Sequence, residues 1–303
     1  MVTAAATLVL IFIGGLVTST GSGLAVPDWP LSYGMLMPPM VGGIFYEHGH
    51  RMAATLVGLL TVILAVWTAR TEPRAGVRRL AWGALAAVIA QGLLGGITVI
   101  FLLPTPVSVL HACLAQTFFC ITIALAFVTS REWTRAAPPA DDVAGVRGAA
   151  AVATGVVFVQ LLLGALMRHT GAGLAIPDFP LALGRVVPPL DSLPVVLHFA
   201  HRLGAIAVVA ALAYLARQAH RSRDRRLSRP ATLLLFLAAV QVALGAATVL
   251  TGKSVVPTTA HVATGAAVLG TCWLVTLRAR RHLRRPQAMA VLTAPFPDAA
   301  PAP

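Results

Sequence analysis

Eight long apolar runs dominate the 303-residue chain, and each is long enough, or nearly so, to cross a bilayer as a helix. The composition agrees, because 57% of the residues are hydrophobic and only 11% are charged, which is too few to cover the surface of a soluble domain. The sequence therefore predicts an all-α integral membrane protein with eight transmembrane helices. The predicted spans are 2–19, 48–69, 80–101, 108–129, 148–167, 196–216, 231–250 and 259–277.

Basic residues are concentrated in alternate connections between the runs. The connections 70–79, 130–147, 217–229 and 278–285 hold 18 of the 23 Lys and Arg residues. By the positive-inside rule these connections face the cytoplasm, which predicts that both termini are cytoplasmic and that the other loops face outward. The formal net charge of +13 does not indicate a nucleic-acid partner, because the basic residues are not interleaved with aromatic ones on a folded surface.

The chain matches itself when it is shifted by 150 residues. Between 14–31 and 164–181, 11 of 18 positions are identical, and this stretch includes "TGSGLAVPDWPL" and "TGAGLAIPDFPL". In the same way "QGLLGGITV" at 91–99 matches "QVALGAATV" at 241–249. We interpret this as the tandem duplication of a four-helix unit. It predicts two four-helix bundles related by a pseudo-two-fold axis along the membrane normal.

The duplication sets the predicted domain boundaries. We expect an N-terminal half at 1–135, a cytoplasmic linker at 136–147, a C-terminal half at 148–285 and a disordered Pro/Ala-rich tail at 286–303. The first run has no basic flank, whereas its counterpart follows Arg147, so we expect that a few residues precede the given start and that this run is not a cleaved signal peptide. The three cysteines fall inside predicted helices, so no structural disulfide is expected.

Four of the nine histidines belong to the repeat: His50, His111, His201 and His261. Each is predicted at or near the outer start of an even-numbered helix, so each half brings together two imidazoles from two helices at one depth. That arrangement suits a heme held between helices of a bundle. Zinc and copper sites usually gather three or four ligands at shorter spacings. The alternative for any one of these histidines is a hydrogen bond to a neighbouring helix.

Two arginines of the repeat directly follow predicted ligands. Arg51 follows His50 and Arg202 follows His201. A guanidinium at the membrane edge suits pairing with a heme propionate, because its fork of donors matches a carboxylate. The alternative is that both side chains extend to the lipid headgroups.

An acidic residue distinguishes the two copies. Glu47 lies about one helical turn before His50, whereas His198 stands at the matching place in the second copy. A carboxylate beside a heme can exchange protons or stabilise positive charge during an oxidation. This asymmetry predicts chemistry in the first half and an electron-transfer heme in the second. The alternative is that Glu47 faces headgroups or water.

The repeated loop combines glycines, which permit positive φ, with prolines, which fix the chain. Asp28 and Asp178 each lie between two of these prolines. An aspartate in such a context usually caps a turn, so we expect a structural role for both. We interpret the two loops as rigid outer covers, one over each cofactor edge.

Several motifs of the sequence together resemble those of a known protein family. The motifs "GSGLAVPDWPLSYG", "EHGHR" at 47–51, "HACLA" at 111–115, "HR" at 201–202 and "HVATG" at 261–265 resemble those of the heme A synthase (CtaA/Cox15) family, and the resemblance covers about residues 10 to 277. It implies an eight-helix enzyme of a bacterial plasma membrane that oxidises a methyl group of heme O to the formyl group of heme A for heme-copper oxidases.

The resemblance also implies residue roles and partners. His50 and His111 match the pair that faces the substrate heme O, His201 and His261 match the ligands of a bound heme b, and Glu47 matches a catalytic acid. The implied partners are heme O delivered by a heme O synthase, an external electron-transfer partner, membrane lipid and a second copy of the chain.

The sequence departs from the family pattern in the first repeated loop. Many members carry a cysteine pair there, whereas this chain has Val26 and Ser32, so a disulfide role in that loop is absent. Before the loop, where members often have arginine, the first copy has Thr18 and the second keeps Arg168.

Two other functions stay open: a non-catalytic membrane carrier of electrons with two b hemes, and a heme-handling transporter or assembly factor. Glu47 favours the enzyme, because a carrier with equivalent halves needs no acid on one side only.

Overall fold

A computed structural model describes residues 1–134 and 143–281, and within these residues the chain is helical with no β-strand. The helices are α1 (Val2–Ser19), α2 (Gly42–Thr71), α3 (Ala75–Ile100), α4 (Thr105–Val128), α5 (Arg131–Thr134), α6 (Val143–His169), α7 (Leu193–Arg221), α8 (Arg225–Leu250) and α9 (Val255–Arg281), with one 3-10 turn at Ala172–Leu174.

The eight predicted spans are confirmed. All the helices except α5 are long and apolar enough to cross a bilayer, with a mean hydropathy of 1.5 to 2.4 over the best 18 residues of each. The predicted ends are wrong in several places: α2 begins at Gly42 instead of 48, α8 begins at Arg225 instead of 231, and α9 extends to Arg281 instead of 277. Hydropathy marks the part of a helix that suits hydrocarbon, whereas backbone hydrogen bonds continue through the polar and basic ends.

Two further expectations change with these boundaries. The four repeat histidines lie about two turns inside their helices, not at the helix starts. Residues 143–147 of the predicted linker 136–147 belong to α6, whereas the linker as a boundary between the halves stays a prediction. The rest of that linker and the predicted disordered tail 286–303 lie outside the described residues.

The long helices pack in two rings. In the first, α1 contacts α2 and α4, and α3 joins α2 to α4; in the second, α6 contacts α7 and α9, and α8 joins α7 to α9. The rings meet where α9 packs on α1 and α4, and where α4 packs on α6. A hydrogen bond of 2.9 Å from Trp273 Nε1 to the Cys120 carbonyl also links them. The domain boundaries and the pseudo-two-fold axis stay predictions.

An apolar core fills each ring at the end away from the repeated loops. In the first ring this core includes Val57, Ala81 and Leu125. In the second ring it includes Leu212, Leu227 and Leu269. The repeat histidines lie nearer the other end of their helices, next to the first repeat loop (residues 20–41) and the second repeat loop (residues 170–192). The repeat histidines of each ring therefore lie at its loop end, away from its apolar core.

Each repeat loop contains the same tight turn. The backbone groups of Ser32 and Met35 bond to each other at 3.0 Å in both directions. The two central residues, Tyr33 and Gly34, have φ of 53° and 70°. Two successive positive φ values are the signature of a type I′ turn, which explains the glycine. The second repeat loop forms the matching bridge between Ala182 and Arg185.

Candidate functional sites

The predicted histidine ligands of the first half each lie against a glycine of the preceding helix. A Cβ added to Gly14 of α1 would lie 3.1 Å from Cε1 of His50 on α2. A Cβ added to Gly95 of α3 would lie 3.3 Å from Cε1 of His111 on α4. Because such contacts are tighter than ordinary van der Waals packing, any other residue at these glycines would displace the imidazole rings.

The second half repeats both contacts at the positions that the 150-residue shift predicts. A Cβ on Gly164 of α6 would lie 3.0 Å from Cε1 of His201 on α7, and one on Gly245 of α8 would lie 3.1 Å from Cε1 of His261 on α9. Sequence analysis aligned these helices but gave the glycines no role. Their recurrence 150 residues apart was the available signal.

The two histidines of the second half face each other across the ring of helices. The centroids of the His201 and His261 imidazoles are 6.4 Å apart, and their planes meet at 66°. Because a metal–imidazole nitrogen bond is about 2 Å long, this spacing would allow both rings to hold one iron between them. The His50 ring of the first half lies within electrostatic range of His111.

Glutamines from neighbouring helices contact the histidines on α4 and α9. Gln91 Nε2 donates to the His111 carbonyl at 3.0 Å and lies 3.3 Å from Nε2 of that ring. In the second half Gln241 Nε2 lies 3.4 Å from His261 Nε2, and His261 Nδ1 donates to the Gln241 carbonyl at 3.1 Å. A hydrogen bond from Nδ1 to a carbonyl fixes the tautomer in which Nε2 has a lone pair, the form that binds a metal, and in this structure the Gln241 amide donates to that nitrogen.

The donor sets fit a heme. Nδ1 of His50 and Nδ1 of His111 are buried and have no hydrogen-bond partner. Within the described residues, no group of three or more His, Cys, Asp or Glu side chains is placed to hold a metal ion, so pairs of imidazoles are what the chain offers. Paired imidazoles from two helices, with glycines at the approach, suit a planar cofactor with iron at its centre.

Glu47 is buried beneath the first repeat loop. Its side chain bridges two groups: Oε2 accepts from the Val26 backbone N–H at 2.8 Å, and Oε1 pairs with Arg51 at 2.7 Å. The residue is only 4% exposed, so the interpretation that it faces headgroups or water is wrong.

Arg51 joins this carboxylate to the loop backbone. Its Nη1 donates to the carbonyls of Asp28 and Leu31 at 2.8 and 2.7 Å. The guanidinium is therefore engaged with the loop, and its predicted contact with a propionate stays a prediction.

The second repeat loop is held in a similar way, but with His198 in the place of Glu47. His198, at the place of Glu47, is 2% exposed, and its Nδ1 accepts from the Ile176 backbone N–H at 3.2 Å. Arg202 donates to the carbonyls of Leu181, Ile176 and Asp178 at 2.7, 3.0 and 2.6 Å. Both arginines thus fix a loop, and the propionate role of Arg202 also stays a prediction.

The aspartates of the loops cap their turns, as predicted. Asp28 accepts from the N–H groups of Tyr33 and Gly34 at 2.7 and 2.8 Å. Asp178 accepts in the same way from Leu183 and Gly184. The N–H groups of Gly34 and Tyr33 lower the pKa of Asp28, and those of Gly184 and Leu183 lower the pKa of Asp178.

A second polar pair occurs only in the first half. Ser32 Oγ and His48 Nδ1 are hydrogen-bonded at 2.8 Å, and both residues are buried. The matching positions of the second copy hold Ala182 and Phe199. Sequence analysis gave His48 no role, although the replacement of Ser32 by alanine in the second copy was a usable signal. The first half therefore has a more polar loop contact than the second.

Arg168, which the second copy keeps before its loop, connects the two halves. Its Nη2 donates to Ser19 Oγ at 3.0 Å and to the Gly15 carbonyl at 3.3 Å, both near the C-terminal end of α1. A cation at this end of a helix is favourable, because the carbonyl groups there carry partial negative charge. The residue thus stabilises the junction between the rings of helices.

Comparison with known proteins shows which protein family this chain belongs to. The family model COX15-CtaA, described as cytochrome oxidase assembly protein, matches residues 41–273. The chain belongs to the COX15-CtaA family. The matched region contains Glu47 and the histidine pairs, and it begins at the end of the first repeat loop.

Curated relatives cover most of the chain. The heme A synthase of Symbiobacterium thermophilum is 37% identical over 249 residues, which are 79% of this chain and 80% of the relative. The heme A synthase of Halalkalibacterium halodurans is 32% identical over 288 residues, which are 90% of this chain and 93% of the relative. This COX15-CtaA chain is therefore similar to these enzymes over 80% and 93% of their length.

Proposed function

We propose that this chain is a heme A synthase that oxidises a methyl group of heme O to the formyl group of heme A. The observation that carries the proposal is the asymmetry between two similarly built histidine pairs. Among the residues that the structure describes, only the pair in the first half has a buried carboxylate, Glu47, one turn from a histidine. A carrier with two equivalent hemes needs no such acid, and the curated relatives are named for this synthase activity.

The two halves take different hemes in this proposal. His50 and His111 hold heme O as the substrate, and His201 and His261 are the iron ligands of a resident heme b. The spacing of the His201 and His261 rings supports the second assignment. A bound heme b supplies an iron that can accept and pass on single electrons.

The residues around Glu47 supply the acid–base part of the reaction. Conversion of a methyl group to a formyl group takes one oxygen atom from a water molecule and releases protons and electrons, so the site needs a proton acceptor and an external electron-transfer partner that takes up the electrons. The Glu47 carboxylate, held by Arg51 and the Val26 N–H, is an acceptor in a fixed position. The first repeat loop above it limits the access of bulk water.

The proposal also includes the location of the protein, its orientation in the membrane and its partners. The chain lies in a bacterial plasma membrane with both termini in the cytoplasm, and the histidine pairs lie toward the outer face, as the distribution of basic residues indicates. Heme O reaches the first half from a heme O synthase through the membrane, and lipid surrounds the helices. A homo-oligomer is compatible with the exposed apolar faces of the helices.

Pigment analysis tests the function. The chain is expressed in a host that makes heme O but no heme A, and the extracted hemes are separated by chromatography. We expect heme A in these cells and none in cells with an empty vector or with His50→Ala. Heme O without any heme A, in cells whose membranes contain the folded, heme-bound protein, would support the carrier or the assembly factor instead.

A further inference from the structure

A glutamine near the middle of α6 lies against the predicted heme b ligand on α7. Gln160 Nε2 donates to the His201 carbonyl at 2.8 Å and lies 3.1 Å from His201 Nδ1. Its Oε1 is buried and has no hydrogen-bond partner. A polar amide in a membrane-spanning helix is costly unless it has a role, so this placement requires an explanation.

A glycine on α7 makes room for this amide. Gly204 lies one turn after His201, and a Cβ added to it would overlap Gln160 Oε1 and lie 3.1 Å from Gln160 Cδ. Even alanine at position 204 would therefore move the glutamine away from its place. Gln160 and Gly204 act as a matched pair.

The first half has a different pair at the same positions. The 150-residue shift aligns Gln160 with Leu10, and the histidine alignment places Ala53 opposite Gly204. Leucine has no polar group to offer, and Nδ1 of the neighbouring His50 is buried without a hydrogen-bond partner. The second half therefore pairs a polar residue with a glycine, and the first half pairs an apolar residue with an alanine.

We infer that Gln160 is a positioning residue for the heme ligand His201, and that the Gln160–Gly204 pair distinguishes the resident heme site from the substrate heme site. This inference rests on the proposed function, because it takes His201 as an iron ligand. The amide nitrogen of Gln160 donates to the His201 carbonyl and lies beside the ring, 3.1 Å from Nδ1 and 3.5 Å from Nε2, so it fixes where the imidazole stands against α6. A substrate heme has to leave after oxidation, and the ligand His50 lacks this restraint.

Redox potentiometry of the purified protein tests the first part. The double variant Gln160→Leu/Gly204→Ala recreates the pair of the first half, so packing is preserved. We expect heme b to remain bound with a shifted midpoint potential and a changed electron paramagnetic resonance spectrum, because the imidazole of His201 is no longer held in one orientation. Gly204→Ala alone should shift the potential in the same direction, since it displaces the amide.

Failure of this inference and failure of the proposed function would give different results. An unchanged potential and an unchanged spectrum in the double variant, with heme b bound, overturn the inference and leave the proposed function intact. Absence of any heme b from the unaltered protein overturns the proposed function itself.

The reciprocal variant tests the second part. Leu10→Gln/Ala53→Gly transfers the pair to the first half. Protein loaded with heme O is mixed with an excess of a heme-scavenging protein, and the release of heme O is followed by absorbance. We expect release to slow by about tenfold, since contacts of this kind change ligand binding by 10–100-fold. Release at the unaltered rate would show that the pair does not determine how firmly a heme is held.

Discussion

The Glu47 carboxylate accepts a hydrogen bond from the backbone N–H of Val26 at 2.8 Å, and His198 accepts the equivalent bond from Ile176 at 3.2 Å. The two side chains thus hold the repeat loops in the same way, although only one of them is an acid. Holding the loop and taking part in the reaction are therefore separable roles of Glu47, and the second copy provides the residue that separates them.

Glu47→His should separate these roles. The histidine recreates the loop contact of the second half, so we expect the protein to keep its bound heme b and its loop conformation. Heme A production in a host that supplies heme O should be abolished, because no carboxylate remains to accept a proton. Absorption spectra measure the bound heme and pigment chromatography measures the product. Normal heme A in this variant would show that the carboxylate is not needed.

Arg51→Lys should loosen the first repeat loop. Lysine keeps the charge but not the planar fork that reaches the carbonyls of Asp28 and Leu31. A hydrogen bond to a charged group contributes about 1.5–3 kcal/mol, so local protection should fall by roughly ten- to a hundredfold. Amide hydrogen exchange of residues 26–36 measures this, and the second repeat loop, held by Arg202, is the internal control. Equal protection of the first loop in variant and parent would refute the role of Arg51 in holding it.

The pH dependence of the loops should follow Asp28 and Asp178. The pKa of each is lowered from its ordinary value of 3.8 by backbone N–H groups, so the folded loop binds a proton less readily than the unfolded loop. The stabilisation is fully present above pH 3.8 and is lost as the pH falls through the lower folded-state pKa. Hydrogen exchange, corrected for its intrinsic pH dependence, measures this. Asp28→Asn should remove the acid transition from the first loop only, and an unchanged transition there would contradict the assignment.

Gly164→Ala should disturb the resident heme. The added Cβ would lie 3.0 Å from His201 Cε1, so the imidazole has to move. We expect a shifted Soret band and less heme b per protein. Gly155→Ala, in the same helix and with no atom within 4 Å of the added Cβ, is the control and should leave both unchanged. Identical spectra for the two variants would show that the glycine does not set the position of the ring.

The long-range organisation could be predicted from the sequence because it depends on periodic patterns. Apolar runs determine which segments span the bilayer, and the 150-residue repeat identifies His50, His111, His201 and His261 as a set. The helix ends were missed where basic residues interrupt the hydropathy pattern, as at the start of α8.

The contacts between side chains could not be predicted in the same way. The Ser32–His48 bond and the Gln160–His201 contact depend on how the helices and loops are rotated against each other, which no spacing in the sequence specifies. The role of Arg51 illustrates the limit. Its position beside His50 predicts a propionate contact, which stays a prediction, but no motif indicated that its donors also reach the loop carbonyls.

The most direct test of the central claim, that the halves hold different hemes, is the absorption spectrum of protein purified from cells that make heme b but no heme O. We predict a bis-imidazole heme b signal that is lost in His201→Ala and in His261→Ala and is retained in His50→Ala and in His111→Ala. Loss of the signal in the His50 and His111 variants, with retention in the His201 and His261 variants, would contradict the account.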